Sequence, residues 1–407
     1  MTARLFLYDD PADAPRFLPF SESRPIGELR HGAWTLSERA AAALGVPVEG
    51  HVSAPHLAGF AEAGAPPVVG SPPTADGPCV ALRSTFVPEV QDLGAALGDV
   101  AAPVRLTDAA GTTVGAALPR GLAWAGAAGI DVAWPARPLR GTRLEGIWQL
   151  VGDLVPTLNA DLGTVLAGHL PTRVPAGCTV LGDVAGLIVE EGAQVEPLVV
   201  FDLRAGPVWI QAGAEVRTFS RLAGPLVVGA GTRIFGGRLQ GSSVGPKCVV
   251  HGEVSSAIFL GYANKAHDGF LGHSVVGRWA NLGAGTTTSN LKNTYGPVRV
   301  TLGGIRHETG LTFLGSLVGD HVKTAIGTML PTGCVIGTGA NLFGSRRPDP
   351  VVAAFAWGTD APDVLSCQRF LAIAERVLPR RGVAVDDATR AYLRAVWQAA
   401  TGRTGCA

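Results

Sequence analysis

The chain has 407 residues, enough for two or three domains that each bury a core. Lysine plus arginine and aspartate plus glutamate number 33 each, and charged residues make up only 16% of the whole. That balance excludes a disordered acidic or basic tail and gives no electrostatic footprint for a nucleic-acid partner.

MTARLFLYDD opens the chain with an apolar run too short for a signal-peptide core. Downstream, no run reaches the roughly eighteen apolar residues of a membrane span. Within it RLFLYD predicts a buried strand, and SERAAAALG a helix ended by glycine, whose missing Cβ permits the left-handed cap. PCVALRSTFVPEV and GIDVAWPA add strand-like runs, and strands mixed with short helices predict an α/β domain over residues 1–165.

From about residue 170 the period changes. Ile210, Val216, Leu222, Val228 and Ile234 recur every six residues, as do Val244 and Val250, then Phe270, Val276 and Leu282, then Leu330, Ile336 and Leu342. Glycine often follows, as in Val228-Gly229, Val276-Gly277, Leu282-Gly283 and Ile336-Gly337. A period of six fits neither a helix nor one long strand. It fits a solenoid with one short strand per six residues and three per coil, a parallel β-helix over residues 166–348.

Helical grammar returns over residues 349–407. Asp363 can cap VLSCQRFLAIAERVL, and Asp386 or Asp387 can start ATRAYLRAVWQAA, with Tyr392, Leu393, Val396 and Trp397 as its apolar stripe. Two helices docked on the solenoid would cover an open sheet edge. The cysteines, at 79, 178, 248, 334, 367 and 406, are scattered without a C-x-x-C pair. They predict neither a zinc site nor a disulfide framework, and they suit a reducing, cytoplasmic setting.

The six-residue frame slips between Val250 and Phe270, and the slip holds Lys265, His267 and Asp268. Asn281 and Asn290 follow. Histidine accepts a proton near neutral pH, and asparagine is costly near a solenoid core unless its amide is satisfied. The glycines of Leu282-Gly283-Ala284-Gly285 let a ligand approach backbone N–H groups.

KAHDGFLGHSVVGRWANLGAGTTTSNL resembles the catalytic coils of glucosamine-1-phosphate acetyltransferases, the left-handed β-helix half of bifunctional N-acetylglucosamine-1-phosphate uridylyltransferases. VGDHVKTAIGTMLPTGCVIGTGANLFG resembles the coils that follow, and RFLPFSESRPIGELRHGAWTLSERAAAALG resembles a divergent branch of sugar nucleotidyltransferases with the same two-part layout. The resemblance implies a left-handed solenoid, a homotrimer with sites between solenoids, and acyl transfer from acetyl-CoA to a sugar phosphate or nucleotide sugar. It puts His267 at the catalytic base, Asn281 at the sugar phosphate, Asn290 near the transferred acetyl group and the Ala284 N–H at the oxyanion. No metal and no covalent intermediate are needed in that half. A family tyrosine is here Phe270, and a phosphate-binding lysine is Ser255; Lys247, Lys265 and Lys292 are the candidates to replace it.

Sugar-nucleotide pyrophosphorylases begin with a strand and a glycine-rich loop whose amides wrap phosphates, and a later aspartate holds magnesium. Here DPADAPRFLPFSESRPIGELR follows the strand and the glycine-rich loop is missing. Asp9 and Asp10 at the strand's end, with Arg24 and Arg30, are the nucleotide-binding candidates, and Asn159 and Asp161 in LNADLG are candidates for part of a metal site. Magnesium is expected only if this domain turns over. The alternatives to acyl transfer are a sugar-1-phosphate nucleotidyltransferase and a non-catalytic scaffold or sugar-nucleotide sensor.

Overall fold

The computed structural model describes residues 3–97, 100–169 and 173–406. The first part is built on a seven-stranded sheet. Its order runs from Ala136–Pro138 through Val104–Thr107, Thr113–Leu118, Cys79–Arg83, Arg4–Tyr8 and Val48–Val52 to Val68–Val69. Thr113–Leu118 runs antiparallel to both neighbours; the remaining pairs are parallel. Leu36–Leu44 forms the helix read in SERAAAALG. Thr35 and Glu38 close a reciprocal capping box, and Gly45 takes the left-handed cap at φ 67°.

From Thr179 the chain winds a three-faced parallel β-helix. The first face stacks six strands from Thr179–Leu181 to Phe270–Gly272, and the second stacks nine from Leu187–Val189 to Val351–Val352. The third begins at Gln194–Val195, and isolated bridges carry it from Asn264 across Asn281 to Lys323. Except for Phe270, the residues of the six-residue period are at most 1% exposed and share one core. Each such aliphatic side chain contributes about 1.5–3 kcal/mol. The glycines after them are needed for coil spacing rather than for corners. A Cβ on Gly229 would lie 2.5 Å from the Gly245 backbone, and one on Gly283 would lie 2.6 Å from that of Ala325.

The period breaks because coils shorten. Between Val228 and Val244, on the second face, a coil takes sixteen residues instead of the eighteen between Ile210 and Val228. Past Val250 the inward position passes to Leu271, leaving Phe270 on the outer surface. A longer excursion after Thr288 carries an antiparallel hairpin, Arg299–Leu302 with Ile305–Glu308. Its turn residues, Gly303 and Gly304, both have positive φ, as a tight two-residue hairpin turn requires.

The two parts share a core. Outer-face residues Ile188, Trp209, Val227, Ile258 and Val275 pack with Phe17, Phe20 and Leu158 of the first part, and Val298, Val300 and Leu302 of the hairpin join them. The tail helices Cys367–Val377 and Asp387–Thr401 pack around Phe355 and Trp279, reaching Leu57 of the first part. Asp386 caps the second helix as read from the sequence, but Ser366, not Asp363, caps the first. Asp363 lies instead in a short antiparallel strand that closes the third face.

Cys367 and Cys406 form a disulfide, 39 residues apart. The scattered spacing gives no sign of this one bond, because it carries no information about which segments meet; Cys79, Cys178, Cys248 and Cys334 are free. The disulfide also removes the cysteine argument for a reducing compartment. Among the described residues no helix is long and apolar enough to cross a membrane.

Candidate functional site

Two of the candidate acyl-transfer residues, His267 and Ala284, lie at the corner between the third and first faces. The turn holding His267 and Asp268 stacks on the turn holding Ala284, with Gly285 N donating to the Asp268 carbonyl at 3.0 Å. Gly269 permits this approach: its φ is 127°, and an added Cβ would collide with the Thr286 carbonyl. His267 is exposed, and its ring makes no hydrogen bond to any described residue. The Ala284 N–H is likewise without an acceptor among the described residues, while its carbonyl accepts from Gly327 N at 2.7 Å. A free imidazole and a free backbone donor thus sit on adjoining turns, the minimum for general-base chemistry with oxyanion stabilisation.

Asn290 lies one face-width further along. Its Nδ2 donates to His273 Nδ1 at 2.8 Å, and among the described residues its Oδ1 has no hydrogen-bond donor. His273 is half-buried, stacks on Phe313 at 5.2 Å, and is held below the ordinary histidine pKa by burial. Sequence reasoning passed over His273, although it stands six residues after His267, the spacing of the repeat itself. The Phe270 ring lies against Gly272, where Asn290 Nδ2 also approaches. Phe270, His273 and Asn290 therefore form one wall.

The remaining β-helix candidates separate from that wall. Asn281 bridges on the third face, accepting from Asn264 Nδ2 at 2.7 Å. Lys265 is 2% exposed, and its ammonium donates to the carbonyls of His251 and His267 at 2.8 Å each. Burial brings its pKa down to about 8, against the attraction of Asp268. It pins the His267 turn and presents no free ammonium to a phosphate. Lys292 is tied to the Pro297 carbonyl at 2.6 Å, whereas Lys247 is exposed, 5.6 Å from the Tyr262 ring centre.

In the first part, a cleft of about 980 Å³ opens at the carboxyl ends of Arg4–Tyr8 and Val48–Val52, lined by Asp9, Asp10, Glu22, His56 and Trp124. That edge, between strands on either side of the first, is where open α/β sheets bind ligands. Burial raises the Asp9 pKa, while Ser53 Oγ and the Ile26 N–H donate to its carboxylate. Asp10 pairs with Arg83 at 3.1 Å, and Asp13 pairs with the same guanidinium at 2.6 Å. Burial lifts Glu22 to about 7. Arg83, Glu22 and Trp124 were not singled out from the sequence, since Trp124 stands in a run of small residues, GLAWAGAAG, without a strand or helix pattern.

Arg24 and Arg30 lie elsewhere than the cleft. Arg24 is 2% exposed and pairs with Asp320 at 2.8 Å and Glu62 at 2.9 Å. Arg30 Nε donates to Ser243 Oγ of the β-helix at 3.2 Å. Both hold the two parts together, so their charge is spent within the protein. Asp161 accepts from the Ala33 N–H at 2.8 Å and pairs with Arg39 at 2.5 Å, a helix-to-turn tie. Among the described residues no three histidine, cysteine, aspartate or glutamate side chains come together at metal-ligating spacing. Of the carboxyl groups that line the cleft, Asp10 is committed to Arg83, and Asp9 and Glu22 are the ones left to meet a magnesium ion.

Residues 5–169 match a family model described as sugar nucleotidyl transferase. The chain is 32% identical over 91 residues to a bifunctional sugar-1-phosphate nucleotidylyltransferase/acetyltransferase of Sulfurisphaera tokodaii, covering 22% of this chain and 23% of that protein. It is 30% identical over 152 residues to the bifunctional protein GlmU of Jannaschia sp., covering 35% and 31%, respectively. Against the bifunctional protein GlmU of Methanocaldococcus jannaschii it is 33% identical over 86 residues, 21% of each chain. The chain thus spans between 21% and 31% of the length of these relatives. Residues 5–169 form an α/β domain similar to the sugar nucleotidyl transferases, and the chain resembles, at low identity, the bifunctional nucleotidylyltransferase/acetyltransferases.

Proposed function

We propose that the chain is a transferase that moves the acyl group of an acyl-CoA, acetyl-CoA first, to an amine of a sugar phosphate or nucleotide sugar. The observation that carries this reading is the His267 imidazole and the Ala284 N–H, both without a partner among the described residues, on two adjoining turns. His267 takes a proton from the acceptor amine as its nitrogen bonds the thioester carbonyl carbon. The Ala284 N–H donates to the carbonyl oxygen as it gains charge, the C–S bond breaks, and CoA leaves as the thiol after protonation. The free Oδ1 of Asn290 offers an acceptor near the acyl group. Exposed Leu198 and Phe219 at the corresponding corner of the earlier coils, and Ile326 and Phe343 at that of the later ones, are apolar side chains that support a homotrimer.

CoA-thiol release from acetyl-CoA, measured across a panel of amino-sugar phosphates and nucleotide amino-sugars, tests it. Release with one acceptor that falls at least ~100-fold in His267→Ala is expected. Unchanged release in the variant would remove the base from His267. The cleft supports a second reading, sugar-1-phosphate nucleotidyl transfer, through the matched family model. Exchange of labelled pyrophosphate into nucleoside triphosphate, dependent on a sugar-1-phosphate and run with and without magnesium, tests that reading separately. Inertness in both assays leaves the scaffold or sensor.

A further inference from the structure

On the third face of the β-helix, the tail closes a pocket of about 380 Å³ between Arg233, Asn264 and Asn281 on one side and Arg380 and Arg381 on the other. Its lining includes three arginines and Lys323, and no aspartate or glutamate. Buried and half-buried arginines elsewhere, such as Arg24, Arg39, Arg83 and Arg278, each meet a carboxylate. Arg233, Arg380 and Arg381 form no ion pair among the described residues. Like charges gathered in a concave wall repel one another, and an anion is what relieves that repulsion.

The geometry holds the cluster in place. Arg233 lies 5.4 Å from the Phe235 ring centre, and the Arg381 carbonyl accepts from Lys247 Nζ at 3.4 Å, which fastens the tail's turn to the coil. Lys323 is not the ligand's partner, since its ammonium is spent on the carbonyls of Trp279 and His321. The Asn264–Asn281 bond engages one donor and one acceptor. Among the described residues it leaves Asn281 Nδ2 and Asn264 Oδ1 without a partner, a donor and an acceptor of the kind that pair with hydroxyl groups. We infer that this pocket binds the phosphate or diphosphate group of a hydroxylated ligand, with Arg233, Arg380 and Arg381 as its anion contacts and the two asparagines on the hydroxyls. The pocket adjoins the His267 turn through Ala266, but its binding of phosphate does not depend on acyl transfer.

Isothermal titration of the full chain with inorganic pyrophosphate, glucosamine-1-phosphate and CoA, at low and at high salt, tests the inference without turnover. Saturable binding of at least one probe is expected. It should weaken at high salt and fall at least ~10-fold in Arg380→Ala/Arg381→Ala and in Arg233→Ala. Arg380→Lys/Arg381→Lys should keep part of the affinity, and Arg403→Ala, outside the pocket, should keep all of it. A preference for glucosamine-1-phosphate would assign the pocket to the acceptor, and one for CoA to the donor. Absence of binding by all three probes, or binding equal in the parent and both alanine variants, overturns the inference. Melting curves of the variants exclude misfolding as the cause of a loss.

Discussion

Arg24→Ala should loosen the docking of the two parts by about 3 kcal/mol. Arg24 Nε and Nη2 reach Asp320 Oδ2 at 2.9 and 2.8 Å, and Nη1 and Nη2 reach Glu62 at 3.1 and 2.9 Å. Burial works against the guanidinium's charge, and Asp320 and Glu62 outweigh it, so its pKa stands above the ordinary arginine value. Removing one member of a buried pair typically costs about 3–5 kcal/mol, because the other charge is left uncompensated. The low end applies here. Asp320 keeps the Arg278 N–H at 2.7 Å and Ser23 Oγ at 2.8 Å, and Glu62 keeps the Arg278 guanidinium. A chain of several parts does not unfold in one step, so a single melting point is the wrong measure. Hydrogen exchange at the hairpin 299–308, which packs into the interdomain core, reads the docking directly. A cycle of Arg24→Ala, Asp320→Ala and the double variant should return a coupling of about 2 kcal/mol. A coupling under about 0.5 kcal/mol would refute the reasoning.

Three further outcomes follow from the same geometry. Gly269→Ala should lower stability by about 2 kcal/mol and displace the His267 turn, since both its φ of 127° and the Thr286 carbonyl oppose a Cβ; an unchanged melting curve with unchanged CoA release would contradict it. Glu22, raised from 4.5 to about 7 by burial, holds its proton longer folded than unfolded. Its contribution is therefore full below pH 4.5 and is lost as pH rises through about 7, and Glu22→Gln should flatten the stability slope in that window by about one proton. Cys406→Ser should destabilise the tail by about 2–4 kcal/mol, the range for a disulfide closing a loop of 39 residues, and reductant should do the same to the parent but not to the variant.

Periodicity made the β-helix legible, because an inward residue every sixth position is a local rule that survives without knowledge of neighbours. It failed at Phe270, where a shorter coil moved the inward role to Leu271. Composition could not reveal that the glycines serve coil spacing, since that is a distance between residues sixteen to forty-two apart. The resemblance alone points to His267 and Ala284, whose turns adjoin in the structure. Arg24 and Arg30 illustrate the opposite case. An arginine near an acid-tipped strand reads as a phosphate ligand, and only the three-dimensional path of the chain brings Asp320 to Arg24 and Ser243 to Arg30. The basic pocket stayed hidden for the same reason, its arginines lying at 233 and at 380–381.

The ties that close the molecule join its beginning to its end. Ser23 meets Asp320 across 297 positions, and the hydroxyl of Tyr392 donates to the Ser23 carbonyl across 369. A ribosome delivering this chain releases the first sheet long before the coils that will cover it. Until then Phe17, Phe20, Leu29 and Leu158 have no β-helix to bury them. Chaperones that shield apolar surface are therefore most needed between emergence of the first part and completion of the later coils. Truncations that stop short of the tail should be found in aggregates, even when the α/β sheet itself is intact.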